Sequence, residues 1–291
     1  MDKIYLLNPD YIIRKDNNRY LLYNKLVCKN NSSIAKSYIH PLQAKIFSYF
    51  TKERSFSINI ELISQELSIT KEKAKQLITP FIENDKPVFL RYKEKQIKVP
   101  RNIIIDENRI IGDKPLMFDV SNEECQGRVD LISHRMMIPR IITFMLTNVC
   151  CTKCCYCYAD TDTKVNKLIP TERVLEIIRD AKRVGVYNIG LIGGEVFLHP
   201  DWEIILKEIV DNGFLPDIIS TKVPITEKII SKLKQTNFQG GIQISLDTIF
   251  VEQAMKTLLV GENYVEKMKA GIELLDKSDI KFNVETVLTK T

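Results

Sequence analysis

No stretch of this 291-residue chain is apolar over the roughly 20 residues that a membrane-spanning helix needs. The first residues, Met-Asp-Lys-Ile-Tyr-Leu-Leu-Asn-Pro, lack the long apolar centre and cleavage site of a secretory signal. Outside one short run, cysteine is nearly absent: only Cys28 and Cys125 occur, both isolated and both expected as buried bystanders. That distribution does not fit a secreted disulfide framework and suits a reducing compartment, so a cytoplasmic location is expected. Apolar residues make up 44% and charged residues 27%, the balance of a soluble globular chain long enough for two domains.

The net charge of +5 is uneven: residues 1–100 carry net +8 and residues 101–291 net −3. A basic front fits an acidic partner, peptide or nucleic acid, and equally a solvated lysine-rich surface. Runs 11–15 and 19–24 flank Asp16-Asn17-Asn18 and predict a hairpin. Leu42, Ile46, Phe47 and Phe50 predict a helix over 40–51, and Ile60, Leu62, Ile63 and Leu67 a second over 58–67. Thr70 is placed to cap a third, from Lys71 to about Glu83, and a second hairpin follows at 87–92 and 96–99. Three helices and a β-wing make a winged-helix pattern. Its third helix offers Lys71, Lys73, Lys75 and Gln76 but no Arg, the commonest base reader. Residues 101–138 read as a connector, with short strands at 102–106 and 109–111 and a polar stretch at 121–126. From Pro139, strands at 141–146, 187–192, 217–221, 241–246 and 280–288 alternate with helices. These run from Thr171, as the cap, to Gly185, and over 201–210, 226–234 and 262–277. Such alternation predicts a parallel sheet with right-handed crossovers.

Residues 148–158 read Asn-Val-Cys-Cys-Thr-Lys-Cys-Cys-Tyr-Cys-Tyr and follow the first of these strands. Cys150, Cys154 and Cys157 stand in a C-x3-C-x2-C spacing with Tyr156 before the last. A loop of this length can fold three thiolates around one cluster of four irons, leaving one iron without a protein ligand. On spacing alone structural zinc stays open, because Cys151/Cys154 and Cys154/Cys157 are C-x2-C pairs. Cys151 and Cys155 cannot complete the longer spacing, since position 158 is Tyr. Downstream, Gly193-Gly194-Glu195 ends the second strand and Ser245-Leu246-Asp247 the fourth. Parallel barrels keep their active sites at such strand ends.

In these motifs the chain resembles the radical SAM superfamily. The resemblance implies a partial parallel (β/α)6 TIM-like barrel, five units of it present, behind a small α+β winged-helix-like domain. It sets the domains at 1–100, 101–138 (connector) and 139–291. It implies a [4Fe–4S] cluster on Cys150, Cys154 and Cys157 and S-adenosylmethionine on the open iron. An electron from the cluster then splits the cofactor's C5′–S bond, and the resulting radical takes hydrogen from substrate. Tyr156 would pack near the adenine, Glu195 would hold the methionyl ammonium, with Gly193 and Gly194 letting backbone approach closely, and Ser245 and Asp247 would reach the ribose or methionyl carboxylate. Ser220 and Thr221 stand where the family has a polar motif, with Lys222 in place of its usual Gly, and Val196 replaces the usual Pro after Glu195.

Residues 5–100 also resemble the precursor-recognition (PqqD-like) domain of SPASM-type radical SAM enzymes that modify ribosomally made peptides. The expected partners are therefore a precursor peptide, its leader added at the edge of the first hairpin, and an electron donor such as a flavodoxin or ferredoxin. No membrane and no nucleic acid are expected. The resemblance implies a sixth unit and a cysteine-rich extension beyond Thr291, so the chain is expected to be a fragment or a prematurely ended gene product of such an enzyme. The alternatives are a sulfatase-maturing type, a non-catalytic remnant that only binds leader, and a winged-helix regulator with a redox-sensing cluster, which would not need the Gly-Gly-Glu and Ser-Leu-Asp motifs. No residue reads as a catalytic acid or base, and His199 reads as a surface residue at a helix start.

Overall fold

The structure is a computed structural model that describes residues 2–24, 36–112, 114–118, 120, 129–132, 135–159 and 168–288. Cys28, Cys125 and the polar stretch 121–126 lie outside the described residues. The chain divides into two units, Met1–Ile138 and Pro139–Thr291.

The first unit runs β1 (Tyr5–Leu7), β2 (Tyr11–Asp16), β3 (Arg19–Asn24), β4 (Lys36–Ile39), α1 (Pro41–Ser48), α2 (Phe56–Leu67), α3 (Lys71–Ile78), β5 (Val88–Tyr92), β6 (Lys95–Val99) and β7 (Ile104–Asp106). The β2–β3 hairpin closes through Asn17 and Asn18, with Asn17 at φ 64°, a conformation that asparagine accepts more readily than most residues. The predicted two-stranded hairpin is in fact part of a three-stranded sheet, because β4 pairs antiparallel with β3. Ser55 starts α2 two residues earlier than the apolar pattern suggests, its hydroxyl accepting from the Ile58 amide at 3.4 Å. Thr70 caps α3 as expected, accepting from the Lys73 amide at 3.2 Å. That helix stops at Ile78 and not near Glu83: Pro80 has no N–H to continue the ladder, and Thr79–Phe81 tightens into a 3₁₀ turn. The strand expected at 109–111 is absent, Glu107–Arg109 being a 3₁₀ turn, whereas β7 pairs antiparallel with β1, a strand that sequence reasoning missed.

The core of this unit joins Leu22, Ile39, Phe47, Phe50, Ile63, Ile78, Val99 and Ile104, with Phe47 and Phe81 ring centroids 5.2 Å apart edge to face. Leu42, expected on the buried face of α1, is exposed. At the hairpin end, Arg19 and Asp16 are buried as a pair at 3.0 Å, and the Arg19 guanidinium stacks on Tyr38. Arg19 also donates to the Asp130 carbonyl at 2.7 Å, and Asp16 accepts from the amides of Met137 and Ile138 at 2.8 and 3.1 Å. Satisfying both ions this fully is what makes their burial tolerable. It also ties the chain just ahead of the second unit to the hairpin.

The second unit runs β8 (Ile141–Met145), α4 (Thr171–Val184), β9 (Asn188–Ile192), α5 (Trp202–Asp211), β10 (Ile218–Thr221), α6 (Glu227–Gln235), β11 (Gly241–Ser245), α7 (Val251–Leu258), α8 (Tyr264–Asp276) and β12 (Lys281–Glu285). All five strands are parallel, β8 with β9 and β10 with β11 and β12. No ladder joins β9 to β10 among the described residues. Strand residues alternate: Ile189, Leu191, Ile219, Ile242 and Ile244 are buried, whereas Ile141, Met145, Ile192 and Ile218 on the other face are exposed. The helices bury matching stripes, such as Val174, Ile178 and Ala181 on α4 and Ile205, Leu206 and Ile209 on α5. Gly185 ends α4 at φ 82°, which only glycine adopts without strain. Thr171 is not the cap of α4: Pro170 holds that position, and the Thr171 hydroxyl donates to Asp201 at 2.6 Å. Sequence reasoning missed α7, which is eight residues long and has no side-chain cap.

Candidate functional site

The C-terminal ends of the parallel strands open on one cavity of about 410 Å³. The loop after β8 contributes Cys150, Cys154, Tyr156 and Cys157 to it, and the exit of β9 contributes Gly193, Gly194 and Glu195. Ser220 and Lys222 reach it from the end of β10, and Ser245 from the end of β11. Asp247 is not on its wall but is bonded to two residues that are.

All five cysteines of the loop are free thiols. The buried Thr152 hydroxyl lies between two of them, 3.4 Å from Cys150 Sγ and 3.3 Å from Cys154 Sγ. The loop is also held by its backbone: Lys153 N and Cys155 N donate to the carbonyls of Leu258 and Thr257 at 2.8 and 3.1 Å. Those carbonyls end α7 and have no partner within their own helix, so helix and loop satisfy one another. A hydrogen bond from the Cys151 thiol, helped by Thr152 and working against burial, pushes the Cys150 thiol down to about 5. The same bond, with burial, pushes Cys151 up. The sulfurs of Cys150 and Cys151 and a Glu195 carboxylate oxygen lie within 4.8 Å of one another, so the structure brings in a cysteine that the spacing had set aside.

The exit of β9 meets this loop without a gap. Gly194 N donates to Thr147 O at 2.6 Å and Glu195 N to Val149 O at 2.9 Å. A Cβ on Gly193 would sit 2.7 Å from Thr147 O, and one on Gly194 only 2.3 Å from Val149 O. The two glycines thus let β9 lie against the root of the cysteine loop. Glu195 is 4% exposed, with one oxygen accepting from the Thr221 hydroxyl at 2.6 Å and the other from the Lys222 amide at 2.8 Å. Burial pushes its carboxyl up to about 7 against those two hydrogen bonds. His199 is buried, not on the surface as expected. Its Nδ1 accepts from the Asp201 amide at 3.2 Å, and burial holds the imidazole below its ordinary range.

Lys222, visible in the sequence only as a departure from pattern, reaches Asp247 at 2.9 Å and the Ser245 carbonyl at 3.4 Å. The Tyr156 hydroxyl donates to the same Asp247 oxygen, and the other oxygen accepts from Val287 N at 3.2 Å. Burial works against it, yet the Tyr156 and Lys222 bonds hold the Asp247 carboxyl below its ordinary range. Burial and then the Asp247 contact push the Tyr156 phenol up. Ser220 accepts from Gln243 at 3.1 Å across the two strands. The signal for Lys222 was in the register: Thr221 pairs with Ile244, which places position 222 beside the Ser-Leu-Asp turn.

Soft thiols opening on a cavity beside an anchored carboxylate form a donor set that fits an iron–sulfur cluster and a ligand bearing an ammonium group. The family model described as "Radical SAM superfamily" matches residues 144–290, just over half of the chain. The chain belongs to the radical SAM superfamily. Its cofactors are those of that enzyme family, a [4Fe–4S] cluster and S-adenosylmethionine, and its α/β second unit is consistent with the family's partial TIM-like barrel. A protein of Methanococcus maripaludis (strain C5) named probable GTP 3′,8-cyclase is 31% identical over 135 residues, 46% of this radical SAM chain and 44% of that protein. One of Archaeoglobus fulgidus with the same name is 29% identical over 141 residues, 46% of this chain and 45% of that one. The chain therefore spans less than half the length of these curated relatives. Among solved structures, Streptococcus suis SuiB bound to precursor peptide SuiA matches 99% of this chain and 57% of its own, with a TM-score of 0.59 and 14% identity. SuiB bound to S-adenosylmethionine matches 99% and 58%, with a TM-score of 0.55 and the same identity. At that identity the likeness is one of fold.

Proposed function

We propose that this radical SAM chain serves an enzyme that cleaves S-adenosylmethionine reductively to modify a ribosomally made peptide. The observation that carries the reading is the extent of the fold likeness: it covers both units, including the first, in a protein solved with its precursor peptide. The first unit, read as a winged-helix-like, PqqD-like domain, takes the leader, and its net charge of +8 over residues 1–100 steers an acidic one toward it. Cys150, Cys154 and Cys157 hold the cluster, with Thr152 setting the spacing of the first two sulfurs. Glu195, fixed from behind by Thr221 and the Lys222 amide, keeps lone pairs for the methionyl ammonium. Ser220 and Ser245 line the same cavity for the polar parts of the cofactor. When bound, the cluster and S-adenosylmethionine supply an electron and a radical that takes hydrogen from substrate. A flavodoxin- or ferredoxin-like donor supplies that electron in this reading.

A nucleotide substrate is the second reading, favoured by the relatives named probable GTP 3′,8-cyclase. Their likeness covers less than half of this chain, so it bears on the radical SAM part and leaves the first unit without a role. The deciding experiment offers anaerobically reconstituted protein S-adenosylmethionine and dithionite, with GTP or with a short ribosomally made peptide that carries an acidic leader. The expected result is a mass change in the peptide together with 5′-deoxyadenosine, and binding of that peptide with only modest salt dependence. A cyclised nucleotide with an unaltered, unbound peptide overturns the peptide reading.

A further inference from the structure

The contacts of Lys222 join several separate elements around the cavity. Its amide donates to Glu195, and its carbonyl accepts from the Tyr264 hydroxyl at 3.0 Å. Its ammonium bonds Asp247 and the Ser245 carbonyl and stands 5.8 Å from the centroid of the Tyr156 ring. The pair is well out of solvent, with side-chain exposures of 12% for Lys222 and 7% for Asp247. A lysine ammonium has three donors and no acceptor, and a desolvated one must find partners of the right sign. Among the described residues its ammonium meets acceptors: a carboxylate, a carbonyl and an aromatic face. Asp247 is equally committed, with one oxygen shared by Lys222 and Tyr156 and the other on Val287 N. Tyr156 lies between Cys154 and Cys157, so whatever fixes its hydroxyl fixes the second half of the cysteine loop.

We propose that Lys222 is a positioning residue, which through Asp247 and the Tyr156 hydroxyl braces the cysteine loop against the ends of β10 and β11. Asp247 is then part of this brace and not a contact for the cofactor's ribose. Beyond its root against β9, the loop has two supports among the described residues: the α7 carbonyls hold Lys153 and Cys155, and the brace holds Tyr156. Removing the brace leaves the loop attached but free to shift at Cys157, the thiol farthest from the Thr152 hydroxyl in the chain. The first readout below needs no metal. Only the second rests on Cys150, Cys154 and Cys157 being the cluster ligands.

The experiment compares the full chain with Lys222→Met, Lys222→Arg, Tyr156→Phe and the double variant Lys222→Met/Tyr156→Phe. In metal-free protein, amide exchange in a peptide spanning residues 150–158 should quicken about tenfold in Tyr156→Phe and in Lys222→Met, the scale set by losing one hydrogen bond to a charged group. Peptides from α4 and α5 should not change. The double variant should be no faster than the singles, because both cut one chain of contacts, and Lys222→Arg should restore most of the protection. After anaerobic loading with iron and sulfide, Tyr156→Phe, Lys222→Met and the double variant should share one altered electron-spin-resonance signal of the reduced cluster, and Lys222→Arg should restore the signal of the unaltered chain. Tyr156→Phe keeps the Lys222–Asp247 pair intact, so the proposal stays testable if Lys222→Met unfolds. Unchanged loop exchange in Tyr156→Phe overturns it, and so do additive effects in the double variant. Failure of the unaltered chain to bind iron would instead strike the cluster assignment and leave the exchange result standing.

Discussion

Gly194→Ala is the sharpest perturbation that the site allows. The added Cβ would stand 2.3 Å from the Val149 carbonyl oxygen and 2.7 Å from that of Asn148, both backbone atoms that cannot rotate away. Relief requires β9 to part from the root of the cysteine loop, and that breaks the bonds from Gly194 N to Thr147 O and from Glu195 N to Val149 O. Two hydrogen bonds at about 0.5–1.5 kcal/mol each and overpacking strain of about 1–3 kcal/mol give roughly 2–6 kcal/mol. For a unit of this size that lowers the melting midpoint by roughly 5–20 °C. Thermal unfolding followed by circular dichroism measures it, with iron uptake as the second readout. Gly190→Ala on the same strand is the control: its Cβ would meet only the Thr143 side chain at 3.7 Å, an ordinary contact, so the midpoint should hold or rise. Were Gly194→Ala to melt with the unaltered chain and load iron normally, the close approach of β9 to the loop would not exist as described.

Cys150→Ala, Cys154→Ala and Cys157→Ala should each abolish binding of about four irons, whereas Cys151→Ala and Cys155→Ala should retain it. Loss of iron on Cys151→Ala, or stoichiometric zinc in place of iron, would favour a site built on the Cys150, Cys151 and Glu195 group. Glu195→Ala should weaken S-adenosylmethionine binding by calorimetry about 10- to 150-fold, from roughly 1.5–3 kcal/mol for a charge-assisted hydrogen bond. In metal-free protein, Glu195 also sets a pH dependence. Its carboxyl sits at about 7 when folded, against an ordinary value of 4.5. Its contribution to stability is full below 4.5 and lost as pH rises through about 7, because burial penalises the ionised form. Subtracting the Glu195→Gln stability profile from that of the unaltered chain should isolate a decline between those two values, and a flat difference would show that the carboxyl is not desolvated.

Much of the fold was legible because its signals are local. The apolar stripes of α4 and α5, the β-prone runs that became β8 to β12 and the glycine that stops α4 all act within a few residues. The cysteine loop and the Gly-Gly-Glu and Ser-Leu-Asp motifs were legible for a different reason: parallel strands deliver their C-terminal ends to one edge, so motifs far apart in sequence meet there. What was missed depends on partners elsewhere in the chain. Strand β1 is three residues long and exists only because Ile104–Asp106 lies beside it. Four-residue β4 needs the edge of β3. The end of α3 turned on Pro80, and His199 is buried by a turn that its neighbours did not announce.

The same distinction explains the two supports of the cysteine loop. Helix α7 carries Val251, Ala254 and Leu258 at helical spacing but is only eight residues long, too short to be stable by propensity alone. Its last carbonyls bind the amides of Lys153 and Cys155, about a hundred residues earlier. Lys222 and Asp247 are 25 residues apart, and neither belongs to a hydrophobic pattern. A sequence read for periodicity scores Lys222 as a departure from motif, since nothing local rewards a charge at the end of a buried strand. The reward is the neighbouring strand end, where parallel register sets an aspartate turn beside it. A charged residue just past the end of one strand, with an opposite charge a residue or two past the end of the next, is therefore a readable signal once the sheet order is known.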